Sequence, residues 1–503
     1  MSNVISPLLR HAGVHPERTA IASAQSDWTY GQLRDAALRY GGALRRHGIG
    51  PGDRVLLIAP TVPEFVVAYL GIHALGAVVV PVNTMSTRAE LEYFIGDSGC
   101  SLVIGWHELG PASADAAAAA GIPHWHLSDG AGGAGGASLI AVVERADDDV
   151  AVILFTSGTT GRPKGAELTV GNVLSAGEFA VGLVDATAAD RVGTGLPLFH
   201  VFGQTAVVML ALTAGAAMSL LERFSAAAML ETLRRDRLTI MCGVPTMWNA
   251  MLHDAGDATA ADFADLRIAV SGGASLPTAV ARAFQEKFGC MLLEAYGLTE
   301  TTAVGTYNDG SSPRGTVGKP AFDTEVQIRD VEGRRVPPNT AGEVFIKGPT
   351  VMRGYHHRPD ATAEVLSADG WLRTGDIAEM DAEGNLRIVD RVKDLIIRGG
   401  YNVYPSEVEA VLYEHPDIIE AAVIGLPHDH YGEEVAAVVV VRHGAPQDGP
   451  SITAWARERL SAYKIPRVVQ FVDKLPTGST GKLLKRAIDR GPLAAILADQ
   501  PAK

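Results

Sequence analysis

Between residues 150 and 165 an apolar run, VAVILF, feeds directly into TSGTTGRPKG. Hydroxyls at Thr156, Ser157, Thr159 and Thr160 are interleaved with Gly158, Gly161 and Gly165, and Lys164 stands near the end. Glycines let a backbone turn with positive φ and bring its N–H groups close to an anion. Hydroxyls and an ammonium add donors for phosphate oxygens. These are the parts of a polyphosphate cradle. Ser, Thr and Gly are also ordinary loop residues, but the strand before the run and the lysine near its end point to phosphate. The nucleotide P-loop is a poorer match: it needs Gly-Lys-Ser/Thr, and here Gly165 and Ala166 follow Lys164.

Four later segments also carry candidate chemistry: YGLTE (296–300), RTGD (373–376), DRVKDLIIRGGYNVYP (390–405) and PTGSTGK (476–482). Glu300 offers the hard oxygen that Mg²⁺ takes alongside phosphates. Asp376 could accept both hydroxyls of a ribose, and Arg391, charged at any pH, could hold the other side of the sugar. Each has a plainer alternative, a solvated loop carboxylate or a turn former for the acids and a solubility charge for Lys482. In this order, over about residues 28–485, the motifs resemble the acyl-adenylate-forming superfamily of acyl-CoA synthetases, luciferases and peptide-synthetase adenylation domains. The full pattern is most similar to stand-alone fatty-acid:CoA ligases.

That resemblance implies an enzyme that joins a carboxylic acid to AMP, releases pyrophosphate and passes the acyl group to coenzyme A (CoA). ATP, Mg²⁺ and CoA are the implied small-molecule partners, beside the acid itself. The resemblance places Thr156, Ser157, Gly158, Thr159, Thr160, Gly161 and Lys164 on the phosphates. Gly273, Ala274, Tyr296 and Gly297 would surround the nucleotide, with Tyr296 stacked on adenine; Asp376 and Arg391 would hold the ribose. Thr299 would touch the α-phosphate, Glu300 would bind Mg²⁺, and His200 and Lys482 would complete the catalytic set. Carboxylate and triphosphate are both anions, so an ammonium spanning them would lower the barrier to their reaction. Lys393 falls at the family's hinge position, where a small C-terminal domain would swing between half-reactions. Gly399 and Gly400 would then lie against the CoA thiol arm, where absent side chains permit close passage.

Amino-acid-activating relatives carry an Asp where this chain has His200, which disfavours an amino acid as substrate. The predicted acyl wall, Val201, Phe202, Cys242, Val244, Trp248, Val270 and Val304, is apolar and lacks a base. A second carboxylate, as in malonate, would be buried there without a partner. An apolar acid, fatty or aryl, is expected, with a medium or long fatty chain first. No carrier domain follows within the chain, which favours free CoA as acceptor; a carrier protein or an amine is the alternative. A P-loop phosphotransferase and a non-catalytic acyl-CoA sensor are the more distant readings.

Bulk properties agree. The chain has 503 residues, 47% hydrophobic and 20% charged, enough for two or three ordinary globular domains. A formal charge of −14 argues against nucleic acid or an anionic membrane as principal partner. Cys100, Cys242 and Cys290 are too scattered for a disulfide framework or metal cluster. There is no signal-like apolar core near the start and no run approaching the roughly 20 apolar residues of a membrane span. A cytoplasmic location without an integral membrane segment follows as the expectation; nothing in the sequence sets an oligomeric state.

The elements that must position these residues follow from periodicity. Leu33, Ala37, Tyr40 and Leu44 recur at helical spacing and Gly48 stops the run; 52–59, 77–83 and 101–105 read as buried strands, with a helix over 64–75. Strand–helix alternation predicts an α/β fold with parallel layers. In such sheets ligands sit at the carboxyl ends of strands, where His200, Gly243, Ser271, Gly272 and Gly273 are placed. Residues 111–136, rich in Ala and Gly, read as a helix and a surface loop without chemistry. Residues 305–375 predict a β-rich subdomain. Residues 392–503 predict a small mobile α+β domain carrying Lys482, separate from an adenylate-forming domain at 1–391.

Overall fold

The computed structural model describes residues 2–23, 27–128, 138–156, 162–478 and 483–498. Two large sheets build the N-terminal part. In one, strands Val150–Thr156, Val78–Pro81, Arg54–Ile58, Leu102–Gly105 and His124–His126 lie in that order and run parallel. Lys164–Thr169 returns antiparallel along Val150–Thr156, and Gly354–Tyr355 closes that edge. The strand at 124–126 lies where only a helix and a loop were expected; the helix is Ala112–Ala120. Its short, polar HWH sequence lacks an apolar run, and pairing with the edge strand 102–105 is what orders it.

In the other sheet, Met291–Tyr296, Ile268–Ser271, Ile240–Gly243, Arg191–Thr194, Ala217–Leu220 and Thr19–Ala22 are successive parallel neighbours. Helix Pro63–Ala74 is apolar on nearly every side and buried from Phe65 to Ala74, as a helix packed within a core must be. It shares one continuous core with helix Tyr30–Arg46, which starts at a reciprocal Thr29–Gln32 capping box, and with strands of both sheets.

An antiparallel sheet of Glu325–Arg329, Gly342–Lys347, Leu372–Met380 and Leu386–Arg391 follows; it is the expected β-rich subdomain but runs on to Arg391, past the predicted end at 375. Beyond it, Ile396–Arg398, Tyr401–Val403, Ile418–His428, Gly432–Val441 and Val468–Phe471 form the C-terminal sheet. With helices Pro405–Tyr413 and Gly449–Arg457 it encloses its own apolar cluster. Among the described residues no helix is long and apolar enough to cross a membrane.

Candidate functional site

Strands Val150–Thr156 and Lys164–Thr169 stay paired to their ends: Thr156 stands opposite Lys164, and its Oγ1 lies 3.5 Å from the Lys164 carbonyl oxygen. Ser157, Gly158, Thr159, Thr160 and Gly161 lie outside the described residues. Lys164 Nζ sits 5.2 Å above the Tyr355 ring, and the Tyr355 hydroxyl donates to Glu300 Oε1 at 2.8 Å. Burial, then the Glu300 charge, pushes the Tyr355 hydroxyl well above its usual range, so it stays protonated and donating. One tyrosine therefore links the cradle lysine to the proposed metal ligand. Sequence reading missed it; the only signal was a GY pair in the punctuated run MRGYHHRPDATAE. On the opposite face of the same edge, His356 Nδ1 and Glu167 Oε1 are 2.6 Å apart and pin the edge strand down.

Glu300 and Thr299 sit in a single 3-10 turn, Thr299–Thr301. The chain then passes through positive φ at Thr302 (51°) and Ala303 (67°), unusual for residues with side chains. Hydrogen bonds hold it there: Ala303 N to Leu298 O at 2.8 Å, Thr302 Oγ1 to Thr350 O at 2.8 Å and Thr205 Oγ1 to Thr302 O at 3.1 Å. The loop folds back onto Gly297 so closely that a Cβ there would stand 2.4 Å from the Ala303 carbonyl. Gly297 thus makes room for its own loop, beyond the nucleotide contact expected of it.

Strand Met291–Tyr296 delivers Tyr296 to the antiparallel sheet, where its hydroxyl donates to Asp376 Oδ2 at 2.7 Å. Arg391 stands directly opposite Asp376 on the neighbouring strand, with Nε 3.3 Å from Oδ1. Asp376 is 5% exposed and Arg391 about half-buried. Adenine stacking alone does not describe Tyr296: its phenol orients the carboxylate, and its ring packs partly on the Val326 and Ile328 cluster.

At the end of strand Ile268–Ser271, Gly273 (φ 77°) and Ala274 form an exposed turn, and Val201, Phe202, Cys242, Val244 and Val270 share one buried cluster. The Phe202 ring packs on the Gly272 backbone: a Cβ there would lie 3.1 Å from its Cζ. His200 begins the next helical turn, its Nδ1 accepting the Phe202 N–H at 3.2 Å. A π-helical segment, Gln204–Met209, continues it. Trp248 and Val304 lie elsewhere. Trp248 packs with Met241, Ala269 and Phe284 on the other face of the strands, and Val304 with Ala176, Phe179 and Ala321.

Lys482 also lies outside the described residues, but its flanks are pinned. Thr477 and Leu483 form an antiparallel bridge, Leu484 N donates to Pro476 O at 2.8 Å, and Lys485 Nζ lies 2.7 Å from Glu409 Oε1. Lys393 is exposed, just after strand Leu386–Arg391. Asp390 reaches across this junction: its Oδ2 accepts Ser406 N at 3.0 Å and Ser406 Oγ at 2.9 Å, in the first turn of helix Pro405–Tyr413. Gly399 (φ 59°) and Gly400 (φ 83°) make the two-residue turn between Ile396–Arg398 and Tyr401–Val403.

Residues 8–356 match the family model described as AMP-binding enzyme, and 407–482 that of the AMP-binding enzyme C-terminal domain. The chain belongs to the AMP-binding enzyme family. The ligase is 37% identical over 495 residues to a feruloyl-CoA synthase of Amycolatopsis sp, covering 96% of this chain and 97% of that protein. It is 34% identical over 524 residues to a long-chain-fatty-acid–CoA ligase of Bacillus subtilis, covering 96% and 93%. ATP-bound MatB from Rhodopseudomonas palustris superposes with a TM-score of 0.90 at 33% identity, covering 96% of this chain and 98% of that one.

Near the ligase's nucleotide motif, burial pushes the Glu294 carboxyl up to about 7, against the pull of the Leu276 backbone N–H. Between pH 4.5 and about 7 the folded state holds a proton that the unfolded state has released. Stability is therefore full below about 4.5 and declines as pH rises to about 7. Glu294→Gln is expected to be more stable than the parent at pH 8 by roughly 3 kcal/mol, because folding carries the carboxyl from 4.5 up to about 7, and nearly equal to it at pH 4.5. Urea midpoints at the two pH values measure this; a gap independent of pH would refute it.

Proposed function

We propose that this AMP-forming acid–thiol ligase activates an apolar carboxylic acid, with free CoA as acceptor. The observation that carries this reading is the buried patch of Val201, Phe202, Cys242, Val244 and Val270 beside the strand-end turn, with no cation among them. A medium- or long-chain fatty acid meets it through apolar contact alone. An aryl acid is the second reading, favoured by the Phe202 ring on the Gly272 backbone, an aromatic wall on which a ring can stack.

In the first half-reaction the acid's carboxylate oxygen attacks the α-phosphorus; an O–P bond forms, the α–β bridge breaks, and pyrophosphate leaves. Thr156, Ser157, Gly158, Thr159, Thr160, Gly161 and Lys164 hold the phosphates, Gly273, Ala274, Tyr296 and Gly297 the base, and Asp376 with Arg391 the ribose. Thr299, His200 and Lys482 stand around the reacting oxygens. Glu300, a single carboxylate oriented by the Tyr355 hydroxyl, suits Mg²⁺, which supplies neutralisation of phosphate charge when bound. In the second half-reaction the thiol sulfur attacks the acyl carbon. A C–S bond forms, the C–O bond to AMP breaks, AMP leaves with the electron pair, and the thiol proton passes to solvent. Residues 392–503 turn about Lys393 between the two, replacing Lys482 with the Gly399–Gly400 turn at the site. A cytoplasmic setting accords with Cys100, Cys242 and Cys290 as buried free thiols.

The test is a panel of fatty and aryl acids with ATP, Mg²⁺ and CoA. AMP and pyrophosphate are expected with apolar acids, and thioester only when CoA is present. ADP or orthophosphate as product would establish a phosphotransferase instead, and turnover confined to dicarboxylates would overturn the apolar pocket.

A further inference from the structure

Behind the Gly399–Gly400 turn lies a buried ion pair whose acid, Glu434, stands outside every motif. Arg398 is 8% exposed and Glu434 is 3% exposed. The guanidinium grips the carboxylate with two nitrogens, Nε on Oε1 and Nη2 on Oε2, the latter at 2.9 Å. Glu434 Oε1 also accepts the Val435 N–H at 3.0 Å. The guanidinium lies 4.3 Å from the centre of the Tyr431 ring, and the Tyr431 carbonyl accepts the Gly399 N–H at 2.8 Å. Arg398 bridges Gly432 on the neighbouring strand as well. Carboxylate, guanidinium, aromatic ring and glycine N–H therefore form one connected support beneath the turn. On its outer side the turn is open: Ile397 is 52% and Tyr401 61% exposed, and a Cβ at Gly400 would meet nothing within 4 Å.

A buried ion pair gains little stability over apolar residues of the same shape. What a bidentate pair does supply is orientation, because a planar fork on a carboxylate admits few geometries. Two glycines in succession have little conformational preference of their own, so their direction must be imposed by what they are attached to. We propose that Arg398 and Glu434 are positioning residues for thioester formation, holding the Gly399–Gly400 turn at the angle at which the CoA thiol arm passes it. This rests on the reading of that turn as the thiol arm's channel. The pair's partners are Tyr431, Gly432 and Val435, none of them assigned to the acid or ATP, so on this reading it serves the second half-reaction and leaves the first alone. That second step forms the C–S bond and breaks the acyl–AMP bond, and it is sensitive to small displacements of the incoming sulfur.

Arg398→Met, Arg398→Lys, Glu434→Gln and Gly400→Val in the full-length chain separate the possibilities. Acid-dependent ATP–pyrophosphate exchange reports adenylation, and thioester formation from supplied acyl-adenylate at varied CoA reports the second step. Arg398→Met is expected to keep exchange within about twofold of the parent while kcat/KM for CoA falls about tenfold or more. Arg398→Lys, which keeps the charge but loses the fork, is expected to recover part of that loss. Equal loss in both assays makes the pair merely structural, and no loss in either removes its role; both overturn the proposal. If Arg398→Met does not fold, Glu434→Gln carries the same comparison. Gly400→Val tests the underlying reading. Should it spare thioester formation, the channel assignment itself is wrong; should it block that step while Arg398→Met does not, only the positioning role fails.

Discussion

Lys482→Ala is expected to slow acid-dependent pyrophosphate release by about 10²–10³-fold, the loss typical of removing one preorganised charge-stabilising group. Thioester formation from supplied acyl-adenylate should persist near the parental rate. Two anions must meet in adenylation, whereas the acyl-adenylate has already paid that electrostatic cost. Residues on both sides of position 482 are anchored, by the Thr477–Leu483 bridge and by Lys485 on Glu409. Lys485 is the natural control: its ammonium is engaged with Glu409, and an alanine there should cost adenylation less than Lys482→Ala does. Equal loss of both half-reactions in Lys482→Ala would count against a domain that exchanges the lysine for the glycine turn.

Asp376→Ala is expected to raise KM for ATP by about 10²-fold. Two hydrogen bonds from ribose hydroxyls to a carboxylate contribute about 1.5 kcal/mol each, or about 3 kcal/mol together, and each 1.4 kcal/mol is about a factor of ten. The carboxylate is preorganised for this task, held on one oxygen by the Tyr296 hydroxyl and on the other side by Arg391. Asp376→Asn keeps the shape and one acceptor oxygen, so its KM should fall between the two. Calorimetry of AMP binding to the three proteins reads the same ladder without turnover. An unchanged nucleotide affinity in Asp376→Ala would remove Asp376 from the ribose.

These two residues also show what could be read from the chain. Lys482 and Asp376 stand in short motifs whose order along the chain carries the family resemblance, and the strands delivering Tyr296 and Thr156 were apparent as apolar runs leading into Gly, Ser or Thr; the strand carrying Asp376, Leu372–Met380, has no such run and was not. Helix 64–75 was legible to within a residue or two of the observed Pro63–Ala74, because flanking Pro and Gly bound it. The strand His124–His126 and the π-helical Gln204–Met209 were not, since neither has a periodicity of its own and each is ordered by what it packs against.

The sequence by itself determined the inventory of groups: a Gly-, Ser- and Thr-rich loop after an apolar strand, the carboxylates Glu300 and Asp376 in short motifs, a late lysine, an apolar set without a base, and the alternation that makes parallel layers. Tertiary structure decided which of these groups share atoms. It put Tyr355 between Lys164 and Glu300, tied Tyr296 to Asp376, and set Arg398 with Glu434 under the glycine turn. It also sent Trp248 to the opposite face from Cys242 and Val270, although all three follow or line neighbouring strands. The reason is that residue type is a local property, whereas the partner of a side chain depends on strand register and on elements far away in the chain; a shift of one residue in a strand exchanges its two faces.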